Sequence, residues 1–202
     1  KYKKNRINSK LFLVEGIKGI KEVLSSNYNI HFTILSQTEY DNLDKNLIND
    51  NIYILSENEI KKLSNLKNNY SGIAVVGVKN NNINNLKFND LVIALDSISD
   101  PGNLGTIIRI ADWYNIRNII CSKNTVDFYN PKVIQASMGS FIRVNTYYTD
   151  LDDIFKRNKN KVFGTTIHSK NISKFSHAKN GIIVFGNESN GISPKLKKNI
   201  DN

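Results

Sequence analysis

The second half of this 202-residue chain repeats one arrangement that leaves few folds open. Short, nearly unbroken apolar runs are each followed by a polar turn and a helical stretch. LVIALD (91–96), RNIICS (117–122) and GIIVFG (181–186) show no polar–apolar alternation across their centres. A strand with one wet face alternates, whereas a strand that is apolar throughout is covered on both faces. Helical stretches fall between these runs at 103–114, 131–139 and 150–158, with further strands at 141–148 and 161–166. Pro131 suits the first position of its helix. Elements in this order make a parallel sheet with helices on both faces. Ligands of such sheets gather at the carboxyl ends of the strands. The polar turns 96–105 and 186–193 both fall there and form the candidate site.

The first half alternates more tightly. LFLV (11–14), HFTILS (31–36), NIYILS (51–56) and GIAVVGV (72–78) read as strands. EGIKGIKEVLSS (15–26) is helical, with Ile17, Ile20, Val23 and Leu24 on one stripe. Ser56 and Glu59 have the spacing of a capping box opening ENEIKKLSNL. No cluster of carboxylates marks this half as catalytic, and His31, opening an apolar strand, is assigned a structural role. KNNNINNLKFND (79–90) is polar and aperiodic. The chain therefore divides into a domain over 1–80, a linker over 81–88 and a second domain over 89–202.

Cys121 is the only cysteine, so neither an internal disulfide nor a cysteine zinc site can form. No apolar run approaches the roughly 18–20 residues that span a bilayer, and none near the N-terminus has the pattern of a signal peptide. A cytoplasmic location is expected. The net charge is +10. Residues 1–88 hold 13 basic and 8 acidic groups and residues 89–202 hold 15 and 10, so each half carries +5. An excess of this kind attracts polyanions through counterion release. KYKKNRINSK (1–10) reads as a mobile basic arm whose Lys1, Lys3, Lys4, Arg6 and Lys10 lie on phosphates.

Within DSISDPGNLGTIIRIADWYNI (96–116), Gly102 and Gly105 are expected to permit backbone geometry closed to other residues. Asn103 is the expected N-cap, leaving helix N–H groups to meet an anion. The spacing matches neither the phosphate-binding G-x-x-x-x-G-K-[ST] loop nor the dinucleotide-binding G-x-G-x-x-G turn. On a helical wheel Leu104, Ile107, Ile108, Ile110, Ala111 and Tyr114 form an apolar arc opposite Thr106, Arg109 and Trp113. Arg109 beside Trp113 fits a surface pair, the rim of an interface or a functional group. In GNESNGISP (186–194), Glu188 either caps the helix beginning near Ser193 or hydrogen-bonds a ligand.

DPGNLGTIIRIADWYNI and VFGNESNGIS, in this order and at this separation, resemble the first two signature motifs of the SpoU family of RNA 2′-O-ribose methyltransferases. This is the trefoil-knotted class that uses S-adenosylmethionine. FYNPKVIQASMGSFIRV (128–144) is similar to the segment between those motifs. LFLVEGIKGIKEVL (11–24) is similar to the start of the small RNA-binding domain that many members carry. The resemblance implies an α/β protein: a small N-terminal α/β RNA-binding domain plus a parallel-sheet α/β-knot methyltransferase domain. It implies S-adenosylmethionine as cofactor and no metal, with His168 and His177 as surface residues. Asn103 and Arg109 would belong to the catalytic centre, supported by Glu188. Gly186, Asn187 and Gly191 would hold the cofactor together with Thr165 and Thr166. The front domain points to ribosomal RNA as substrate, with transfer RNA as the alternative. A non-catalytic RNA-binding protein with a decayed methyltransferase half is the rival class. Arginine, with a pKa above about 12, is a poor base. Arg109 is expected instead to grip an RNA phosphate and stabilise the developing alkoxide.

The family's third motif, an apolar segment with a Ser-Leu-Asn run, would follow the helix after the second turn, but the sequence stops at KLKKNIDN. The methyltransferase domain is expected to be incomplete at its C-terminus, without the complete knot and weak in cofactor binding. A homodimer is expected when that segment is present. Gln135 stands where a basic residue is expected in the middle segment, which removes one RNA contact.

Overall fold

A computed structural model describes residues 3–166 and 179–201; Lys1, His168 and His177 lie outside the described residues. Among the described residues two β-sheets organise the chain. They belong to two compact units, Lys1–Asn80 with Tyr129–Ile142, and Asn81–Phe128 with Arg143–Asn202.

The first unit opens with α1 (Lys3–Ser9), β1 (Leu11–Glu15), α2 (Ile17–Leu24), β2 (Ile30–Leu35), α3 (Gln37–Asp41), β3 (Ile52–Ile54), α4 (Glu57–Leu63) and β4 (Gly72–Gly77). Its strand order is β1-β4-β2-β3. β4 runs antiparallel to both β1 and β2, and β2 runs parallel to β3. The stripe on α2 buries Ile20 and Val23 completely and Ile17 and Leu24 in part. The capping box of α4 is formed, with the Ser56 N–H donating to the Glu59 carboxylate at 2.9 Å. His31 is exposed beside a register shift in β2. The basic arm is not extended: Lys3–Ser9 is helical and buries nothing, with Lys3, Lys4 and Lys10 exposed and Arg6 half-buried.

The chain continues through β5 (Leu91–Leu95), α5 (Pro101–Trp113) and β6 (Asn118–Ser122) of the second unit. α6 (Pro131–Ala136) belongs to the first unit. β7 (Asn145–Thr149), α7 (Leu151–Arg157), β8 (Val162–Gly164), β9 (Gly181–Phe185) and α8 (Pro194–Lys197) complete the second. The second sheet is parallel throughout, in the order β7-β6-β5-β9-β8. Val92, Ala94, Ile182 and Val184 share a core with Leu151, Phe155, Ile192 and Leu196. Ile93, Leu95, Ile119 and Cys121, which point the other way, are buried too. Burial on both faces is the reason these runs lack alternation. Ile83, Leu86 and Phe88, in the stretch read as a linker, pack half-buried against this same core.

The segment 129–142 departs from its expected structure. The helix stops at Ala136 because Met138 (φ 51°) and Gly139 (φ 93°) turn the backbone left-handed. Phe141 is not in a strand; it is fully buried in the first unit, edge-on to Phe12 and Tyr28 at 5.8 and 5.9 Å. Tyr129 adds a ring contact to Phe12 at 4.5 Å. Burying an aromatic ring outweighs the strand preference of its neighbours, and β7 begins only at Asn145.

The buried Asp152 ties α7 to α8. Its carboxylate accepts from Lys156 Nζ at 2.6 Å and Asn199 Nδ2 at 2.8 Å, and stands 3.2 Å from Lys195 Nζ. The Lys156 bond, with help from Lys195 and Asn199, holds its carboxyl down at about 2. A carboxyl whose folded pKa is depressed contributes stability above its unfolded value of about 3.9 and loses it as the pH falls through the folded value. The thermal midpoint of the wild-type protein should therefore fall more steeply between about pH 4 and pH 2 than that of Asp152→Asn. Parallel curves for the two proteins would refute the tether.

Candidate active site

β5 and β9 are parallel neighbours in register, with Leu91 opposite Gly181 and Leu95 opposite Phe185. The residues that follow each strand therefore leave the sheet at the same edge. The Asp96 N–H extends the ladder by one bond, to the Phe185 carbonyl at 2.9 Å.

In the first turn, Asp100 and not Asn103 caps α5. The Asp100 carboxylate accepts from the Asn103 N–H at 2.8 Å, and Pro101 occupies the first helical position. Asp followed by Pro was the sequence signal for this start. Gly102 and Gly105 consequently lie inside the helix and need no special backbone geometry. Glycine at 102 leaves space for the cap, since a Cβ there would stand 2.9 Å from Asp100 Oδ1. The Asn103 backbone N–H lies within the first turn of α5 and is taken by this carboxylate.

Relieved of capping, the Asn103 side chain donates from Nδ2 to Glu188 Oε1 at 2.9 Å. Glu188 Oε2 accepts from Asn187 Nδ2 at 3.1 Å and lies 3.5 Å from the Ser99 hydroxyl. Glu188 does not cap α8; Ser193 stands at that position without a side-chain bond. Two motifs remote in sequence thus meet side chain to side chain at the carboxyl edge of the sheet. The Asn103 hydrogen bond, followed by backbone N–H groups of the turns, holds the Glu188 carboxyl below its ordinary range.

The second turn is built on its own backbone. A Cβ on Gly186 would fall 2.1 Å from the carbonyl carbon of Gly191, so only glycine fits. Asn187 and Gly191 exchange backbone hydrogen bonds of 3.0 and 2.9 Å. The Asn187 side chain braces the turn: Oδ1 accepts from the N–H groups of Ser189 and Asn190, both at 3.1 Å, and Nδ2 donates to the Ser97 carbonyl at 2.9 Å. At the end of β8 the Thr165 hydroxyl donates to the Val184 carbonyl at 3.0 Å, and Thr166 is exposed.

Arg109 is exposed on α5, six residues beyond Asn103 or about 9 Å along the axis. Among the described residues no hydrogen bond joins it to Asn103 or Glu188. The apolar arc of α5 is narrower than the wheel suggested. Leu104, Ile108 and Ala111 are buried, but Ile110 and Tyr114 are 48% and 71% exposed, beside Trp113 at 86%. A helix lying on one sheet face covers only its i, i+4, i+7 stripe. Asp96, Ser97, Ser99 and Asp100 all contact the site and escaped the sequence reading. The signal for Asp96 was a carboxylate ending an apolar run, where burial demands partners. Among the described residues there is no group of three His, Cys, Asp or Glu placed to hold a metal, and no helix long and apolar enough to cross a membrane.

Residues 90–202 match the SpoU rRNA Methylase family, and residues 1–74 match the MRM3-like substrate binding domain. The chain belongs to the SpoU rRNA methylase family. It is 26% identical to the 23S rRNA (guanosine(2553)-2′-O)-methyltransferase RlmP of Bacillus subtilis, over 98% of this chain and 80% of that protein. A TrmH-family structure from Porphyromonas gingivalis superposes with a TM-score of 0.87 at 28% identity, covering 100% of this chain and 82% of that one. AviRb of Streptomyces viridochromogenes, a SpoU methyltransferase solved with AdoMet, shares the fold with a TM-score of 0.81 at 19% identity, over 100% of this chain and 82% of its own.

If Asn103 is what holds the Glu188 carboxyl down, Asn103→Ala should move the Glu188 titration upward, toward an ordinary glutamate near 4.3. An NMR titration of the side-chain carboxyl reads this directly, and an unmoved midpoint would contradict the assignment.

Proposed function

We propose that this chain transfers a methyl group from S-adenosylmethionine to a ribose 2′-hydroxyl of ribosomal RNA. The observation that carries the reading is the Asn103–Glu188 hydrogen bond, which unites the two motif turns at the carboxyl edge of a parallel sheet in a SpoU-family chain.

The residues suit the cofactor. Gly186 and Gly191 keep side chains away from the backbone of the second turn, whose Ser189 and Asn190 are exposed. Thr165 and Thr166 are exposed at the neighbouring strand end. The Glu188 carboxylate offers negative charge beside a ligand that carries a sulfonium. In this assignment Gly186, Asn187, Gly191, Thr165 and Thr166 hold the cofactor. Asn187 acts through the turn it braces, and Thr165 through its carbonyl, its hydroxyl and N–H both being engaged by Val184. When bound, the cofactor supplies a methyl group already activated on sulfur.

What remains for the protein is to place a weak nucleophile in line and ease the loss of one proton. Asn103 and Glu188 form the polar wall at which the ribose is oriented. Arg109, exposed on α5, is assigned to an RNA phosphate, which its guanidinium grips in bidentate fashion. Lys3, Lys4, Arg6 and Lys10 of the N-terminal segment, with Lys1, add sequence-independent attraction for RNA. The exposed Ile110 and Trp113 of α5, with Tyr114 at its C-cap, support a homodimer in solution. The ribosomal substrate supports a cytoplasmic location.

Arg109→Lys keeps the charge and loses the planar fork. Turnover is expected to fall by about two orders of magnitude, while S-adenosylmethionine affinity measured by calorimetry stays near wild type. Equal loss of both would overturn the phosphate role. RNA affinity should fall linearly on a log–log plot against salt concentration; a flat dependence would favour a small-molecule substrate.

A further inference from the structure

We infer that Asp96 is a positioning residue that, together with Ser97, clamps both ends of the second turn and so sets the shape of the cofactor-binding backbone. The two residues are consecutive at the carboxyl end of β5. Asp96 is buried at 5% exposure, and its carboxylate Oδ2 accepts from the Ser193 N–H at 2.7 Å, where the second turn ends. The Ser97 carbonyl accepts from Asn187 Nδ2 at 2.9 Å, where that turn begins. The turn Asn187–Ser193 is thus gripped at its two ends by neighbouring residues of another segment.

The clamp is itself rigid. The Asp96 N–H is fixed on Phe185 at 2.9 Å, and the Ser97 N–H donates to the Ser122 hydroxyl of the next strand at 2.8 Å. Ser97 has φ 61°, a left-handed conformation that a non-glycine residue holds only where its surroundings require it. That conformation lets residues 96 and 97 reach the same turn from one strand end. The Ser97 hydroxyl donates to Asp96 Oδ1 at 3.2 Å, closing the arrangement. Among the described residues Asp96 has no cationic partner. Its carboxylate accepts from the Ser193 N–H and the Ser97 hydroxyl, and the Ser193 bond is the shorter of the two. Held this way, the turn presents Glu188 to Asn103 and keeps Gly186 against Gly191.

The inference rests on the methyltransferase reading of the turn, and the experiment separates the two. Asp96→Ala removes the clamp, and Asp96→Asn keeps an oxygen acceptor in the same place. Ser193→Pro removes the N–H donor at a φ of −60° and ψ of 146° that proline accepts, and sets its ring Cδ against the Asp96 carboxylate, so it breaks the same contact from the side of the turn. In the ligand-free protein, Asp96→Ala and Ser193→Pro should each speed amide hydrogen exchange across 187–192 by about tenfold or more while leaving 91–95 protected. Dissociation constants for S-adenosylmethionine, read by calorimetry, should rise by about tenfold or more in both variants, with Asp96→Asn within about threefold of wild type. RNA affinity should be unchanged. Unaltered exchange in a folded Asp96→Ala or Ser193→Pro protein overturns the clamp, as does a uniform rise in exchange over the whole sheet. Where Asp96→Ala does not fold, Ser193→Pro decides alone. If the wild-type protein binds no S-adenosylmethionine, the methyltransferase reading fails, and the exchange data still judge the clamp.

Discussion

The in-register parallel pairing of β5 with β9 is the contact from which the site follows. These strands are separated by most of the second unit's sequence, yet Leu95 stands opposite Phe185, and the ladder closes on the amide of Asp96. Parallel strands that end together must send their following residues out of the sheet on the same side. The pairing needs no polar chemistry of its own: Val92, Ala94, Ile182 and Val184 are buried because both faces of the sheet are covered. Burial of this kind tolerates no slip, since moving one strand by one residue would exchange its two faces and displace the turn that follows.

On that frame the polar groups of the two turns are almost entirely consumed by one another. Asp100 caps α5, Asn103 holds Glu188, Asn187 braces its own turn, and Asp96 holds Ser193. A network satisfied in this way is stiff, and stiffness is what a reaction limited by placement requires. Glu188 is held below the ordinary carboxyl range by its hydrogen bonds, that of Asn103 first.

The first unit follows a different logic. Its sheet is mixed, and its core is closed by rings: Phe12 against Tyr28, Tyr129 and Phe141. Tyr129 and Phe141 come from a segment more than a hundred residues further along the chain than Phe12. A domain of this size has little apolar surface to spare, so these two aromatics are a substantial part of what its core contains. Contacts of such sequence separation carry no local signature, which is why the segment was read as a helix running into a strand.

The chain's local chemistry announced the alternation of strands and helices, the two-sided parallel sheet, the capping box of α4 and the positions of both polar turns. Each depends on periodicity or on residues a few places apart. Asn103 was singled out but read as the N-cap, because Asn and Asp cap helices equally well and Asp100 was the better placed of the two. The exposure of Ile110 and Tyr114 and the internal engagement of Asn187 and Thr165 were not legible. A one-dimensional pattern says which side chains share a face but not what lies against that face. Those outcomes depend on which strand lies next to which, and a parallel sheet joins strands whose separation along the chain leaves no trace in local propensity.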